Sequence, residues 1–66
     1  MFDPTKVTVR IEMIEEQTGL RKQHQYSLAQ AVFYIGGAAA FHQLCVESVY
    51  ELLERAVQKH HGTEAQ

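Results

Sequence analysis

Two side chains of metal-ligating type, His42 and Cys45, stand three residues apart. On a helix that spacing lets them face each other across one turn. Doubled by two-fold symmetry, such a pair could complete a tetrahedral zinc site. Cys45, however, also belongs to an apolar arc of the same helix, where a free cysteine behaves as a small hydrophobe, and His42 then becomes an ordinary edge residue. His60-His61 suits the carbonyl end of a helix, where positive charge meets the dipole. A nucleophile-and-base pair of Cys45 with His42 or His24 lacks the electropositive setting a reactive thiol needs, because the nearby charges are mainly Glu47, Glu51 and Glu54. Gly36-Gly37 joins two helices and so makes no phosphate loop after a strand, and Glu15-Glu16 reads as a solvated pair in a turn. These readings predict no catalytic residues, no metal and no cofactor, and a protein that is not an enzyme.

The segment Arg21-Lys22-Gln23-His24-Gln25-Tyr26, with Arg10 from a facing strand, gathers the main concentration of positive charge beside amide donors and an aromatic ring. Such a set can hold phosphate through charge-assisted hydrogen bonds and stack a base on the tyrosine. It is the expected ligand site. The plain alternative is a solvated hairpin whose cations discourage edge-to-edge aggregation.

The elements that must position this patch are legible from periodicity. Over residues 6–14, Val7, Val9, Ile11 and Met13 alternate with Thr8, Arg10 and Glu12, the period of a strand with one buried face. Glu15 to Gly19 reads as a turn, with Gly19 free to take positive φ, and Leu20 to Tyr26 returns as a more polar strand. A four-residue loop over 16–19 pairs Met13 with Lys22, Ile11 with His24 and Val9 with Tyr26. A three-residue loop would instead set Gln23 and Gln25 against the core, since a one-residue slip turns every side chain over. Ser27-Leu28-Ala29-Gln30 has the capping-box pattern and predicts a short helix over about 28–35, closed by Gly36. A long amphipathic helix follows over about 38–60, with a frayed tail over 61–66. The expected fold is therefore α+β, a β-hairpin followed by a short and a long helix in one small domain spanning 1–66.

The long helix carries a polar stripe of Gln43, Glu47, Glu51, Glu54, Arg55 and Gln58. Its apolar arc, widened by Val46 and Tyr50, is too broad for a hairpin and one short helix to cover. A chain of 66 residues buries only about 60% of the surface its unfolded form exposes. With Cys45 the single cysteine, no intrachain disulfide can reinforce it, and a lone thiol suits a reducing compartment. Assembly into a homo-oligomer is the expected remedy, with Phe41, Cys45, Val49, Tyr50, Leu52, Leu53 and Val57 at the interface.

The N-terminus lacks the basic start and apolar run of an export signal. The longest weakly polar stretch, Ala31 to Phe41, is about half the ~20 residues that span a bilayer. A cytoplasmic protein without membrane contact is expected. A net charge of −2 disfavours general nucleic-acid binding. The first reading is thus a non-enzymatic homo-oligomeric binding protein, of the accessory or inhibitor kind that phages and mobile elements encode. It would sequester an anionic small molecule such as a nucleotide, or block a host protein. The second reading rests on residues 21–59, where a polar strand followed by two helices resembles ribbon-helix-helix repressors. That resemblance implies a transcriptional regulator with Arg21, Gln23 and Gln25 in the major groove and the second helix forming the dimer. The chain departs from that pattern in its short first helix, its extra strand and its negative net charge.

Overall fold

The computed structural model describes residues 1–64. A 3-10 turn at Pro4–Lys6 leads into strand β1 (Thr8–Glu15), which is followed by β2 (Leu20–Ser27), a short helix α1 (Leu28–Val32) and a long helix α2 (Ala38–Glu64). The fold is α+β with the order ββαα, as expected.

Alternation fixes the hairpin. Val9, Ile11 and Met13 face inward while Thr8, Arg10 and Glu12 are exposed, and β1 pairs antiparallel with β2. The register is the one a four-residue loop predicts, setting Val9 opposite Tyr26, Ile11 opposite His24 and Met13 opposite Lys22. Gly19 closes the loop at φ 76°, and its N–H donates to the Glu15 carbonyl at 2.9 Å. The Glu15 carboxylate organises the same turn from its side chain. It accepts the Thr18 hydroxyl at 2.5 Å, the Thr18 N–H at 2.7 Å and the Gln17 N–H at 3.0 Å. These donors, the Thr18 hydroxyl first, hold its pKa below the usual glutamate value, with His61 a minor contributor.

Helix α1 begins with the predicted capping box. The Ser27 hydroxyl accepts the Ala29 N–H at 3.3 Å, and the Gln30 side chain accepts the Ser27 N–H at 3.2 Å. Its end differs from the expectation of residue 35, because the helix stops at Val32. Phe33 takes the C-cap position, so Gly36 is not the cap. The chain reverses instead through a five-residue connection in which Gly36 and Gly37 both take positive φ, 102° and 93°, conformations that suit glycine alone. The Gly37 N–H bonds the Tyr34 carbonyl at 2.9 Å, and the Phe41 N–H bonds the Gly37 carbonyl at 3.1 Å. The reversal is thereby locked onto the first turn of α2.

Helix α2 has 27 residues, about 40 Å at 1.5 Å per residue. Each strand has 8 residues, about 27 Å at 3.4 Å per residue, so the helix outruns the hairpin it packs on. The frayed tail expected from residue 61 is corrected accordingly. Residues 61–64 continue the helix, since a lone Gly62 lowers helix stability by only about 1 kcal/mol and no proline follows. Ala65 and Gln66 lie outside the described residues.

The core sits between the inner hairpin face and α2. Ile11, Tyr26, Ala31, Cys45 and Val49 are buried, flanked by Val9, Met13, Leu28, Ala38, Phe41 and Val46. One helix on one two-stranded sheet makes a slab of only two layers, and the molecule measures 55 × 21 × 12 Å. Among the described residues no helix is long and apolar enough to cross a membrane.

Candidate functional site

Because side chains alternate along a strand, the outer face of the hairpin carries the cross-strand pairs Arg10–Gln25, Glu12–Gln23 and Ile14–Arg21. All six residues are exposed. Arg10 and Arg21 lie two pairs apart along the ribbon, about 14 Å at 3.4 Å per residue, with Glu12 between them. The two guanidiniums therefore do not close on a single phosphate. Each can serve one anionic group, with the Gln23 and Gln25 amides as neutral donors between. Either arginine can hold a phosphate through charge-assisted hydrogen bonds.

Lys22 and His24 belong to the inner register but remain exposed. Tyr26 is a different case. It is buried, with its ring edge-on to Phe41 at a centroid distance of 4.9 Å and its oxygen 2.7 Å from His42 Nδ1. Burial, with the neighbouring Cys45 thiol, raises its pKa. Tyr26 therefore cannot stack a base in this conformation, and the expected aromatic platform is corrected to a core contact. The signal was available, since the register that sets Tyr26 opposite Val9 also turns it inward.

The same contacts bear on the metal reading. Nδ1 of His42 bonds the Tyr26 oxygen, and Cys45 is buried in the apolar core. Among the described residues no group of three or more His, Cys, Asp or Glu side chains is arranged to hold a metal ion.

The residues expected at an oligomer interface fall into three sets. Cys45 and Val49 lie under the chain's own hairpin, which already covers the surface they were expected to share; this is a correction, made by the direction from which the hairpin meets the helix. Phe41, Leu53 and Val57 are half-buried, with Phe41 against Tyr26 and Tyr34. Tyr50 and Leu52 are exposed. Beyond these, Val32, Phe33, Ile35 and Leu44 are also exposed, and the first three were hidden in the sequence by an apolar run that reads equally well as buried helix.

Concavities on α2 are shallow and acidic. One is lined by Gln43, Val46, Glu47, Tyr50, Glu51 and Glu54. Another, more apolar, lies between Glu15 and the helix residues Tyr50, Leu53 and Val57. Glutamates at these places repel an anion; the outer hairpin face carries one glutamate, Glu12, beside its two arginines. Compared with protein-family models, with curated proteins and with solved structures, the chain matches none.

Proposed function

We propose that this protein is a non-enzymatic, homo-oligomeric binding protein, a cytoplasmic accessory or inhibitor of the kind phages and mobile elements carry. It sequesters an anionic small molecule, such as a nucleotide, on the outer face of its hairpin. The observation that carries this reading is the open ribbon on which Arg10, Gln25, Gln23 and Arg21 stand exposed on one side, opposite the helix whose concavities are acidic. Blocking a host protein through the same face is the protein-partner form of the reading.

Calorimetric titration with ATP as the anionic probe tests it, comparing the parent chain with Arg21→Glu. A hydrogen bond to a charged group contributes roughly 1.5–3 kcal/mol, so the variant loses about 10- to 100-fold in affinity while keeping its circular dichroism spectrum. Equal binding by both proteins moves the site off the hairpin.

A second reading has its own support. Arg21, Gln23 and Gln25 share the outer face at alternate positions, and a two-stranded ribbon fits the major groove of DNA. The salt slope separates the two: binding to DNA falls by about 0.9 in the logarithmic slope for each phosphate neutralised, so a duplex contacting many phosphates falls more steeply with salt than a nucleotide held by two arginines.

A further inference from the structure

Several exposed apolar side chains of α2 and of the connection before it fall along one strip. Leu44, Ser48 and Leu52 follow at intervals of four on α2, which places them in one row of the helix surface. Leu44 is 49% and Leu52 50% exposed. The α1–α2 connection extends the strip. Tyr34 packs on Phe41 at 5.3 Å between ring centroids, and a Cβ added to Gly36 would lie 3.2 Å from that of Ala40, one turn before Leu44. This connection presents Phe33 and Ile35 at 86% and 94% exposure. Exposed apolar side chains grouped in this way stand where another surface can cover them.

We propose that this strip is where a second copy of the chain docks, with the two α2 helices crossing antiparallel at Ser48. The proposal rests on the homo-oligomeric reading above and assigns it a surface. Two observations select a second copy as the occupant. The first is area. The chain exposes 5272 Å², whereas a compact monomer of 7.5 kDa exposes about 4,200 Å². The excess, about 1,000 Å², matches the roughly 800 Å² that each partner buries in a standard interface. The second is self-complementarity. A two-fold axis at Ser48 sets Leu44 of each copy against Leu52 of the other, as an isologous contact requires. Ser48, the small residue in the row, lies where the helices come closest. Rows spaced by four interdigitate at a crossing angle near −50°, and this leaves the outer hairpin faces of both copies open.

Sedimentation velocity across a dilution series, on the parent chain and on Leu44→Glu and Leu52→Glu, is the direct test. A Ser48→Cys variant treated with diamide supplies a gain-of-signal arm, with Gln43→Cys as its control on another side of the helix. Each dimer carries both copies of a substitution, so either glutamate weakens association by about 100-fold or more. Ser48→Cys forms a disulfide-linked dimer under conditions in which Gln43→Cys and the parent, whose Cys45 is buried, do not. Should the glutamate variants lose their fold, the cross-link alone decides. A parent chain that oligomerises while the variants keep its mass, or Ser48→Cys cross-linking no faster than Gln43→Cys, overturns this surface and spares the oligomeric reading. A parent chain that is monomeric throughout overturns both.

Discussion

Val49→Ala is the perturbation that best tests how α2 meets the hairpin. Val49 is 1% exposed and belongs to a core cluster with Ile11, Tyr26, Ala31 and Cys45. The substitution deletes two methyl groups from a buried site. At about 0.8 kcal/mol for each buried carbon, the transfer loss is roughly 1.6 kcal/mol. The unfilled space adds to it, because surrounding side chains relax only in part. A core in a chain this short rarely supplies more than about 3–5 kcal/mol, so one substitution removes a third or more of it. For a domain of this size about 4–8 °C of melting temperature follows each kcal/mol, which gives a drop of roughly 6–13 °C before the cavity is counted. Thermal unfolding followed by circular dichroism at one fixed protein concentration measures it. A loss under about 0.5 kcal/mol, the range of an ordinary surface site, would refute the placement of Val49 beneath the hairpin.

Three further outcomes follow from particular contacts. The Glu15 pKa is lowered in the fold, so the unfolded chain binds more protons in acid. Its stabilisation is present above the unfolded value near 4.5 and is lost as pH falls through the depressed folded value; Glu15→Gln flattens that acid limb in urea titrations run at several pH values. Ser27→Ala removes the capping-box acceptor of α1 and lowers stability by about 1 kcal/mol, read as a shift of the urea midpoint at constant slope. Tyr26→Phe deletes the 2.7 Å bond to His42 and destabilises the fold near neutral pH. Because the Tyr26 pKa is raised, the fold loses stability as pH climbs through the unfolded tyrosine value near 10, and the variant lacks that alkaline contribution.

The hairpin was legible because two independent constraints agreed. Alternation placed Val9, Ile11 and Met13 on one face, and only an even loop brought Tyr26 to the same side. Ser27 and Gln30 marked the start of α1 for an equally local reason, since both partners of the capping box lie within four residues. The end of α1 was not legible. Val32 to Ile35 is uniformly apolar, and an apolar run carries no period to separate a buried helix from an exposed turn. What stops the helix is tertiary: the paired glycines reverse the chain so that Tyr34 can pack on Phe41. The apolar arc of α2 was visible as an arc, but its division between hairpin and open surface depends on the angle at which the hairpin lands. A helical wheel holds no information on that angle, and so Cys45 and Val49 were expected at an interface while Leu44 and the Phe33–Ile35 turn were not. Arg10 and Arg21 share the outer face, as alternation predicted, but their separation along the ribbon emerged only from the register.

Native mass spectrometry of the freshly purified chain, without added ligand, tests the central claim most directly. A discrete homo-oligomer is expected, with a bound small anion carried through purification or accepted when ATP is supplied, and loss of that adduct in Arg21→Glu. A monomer that takes up no anion would contradict it.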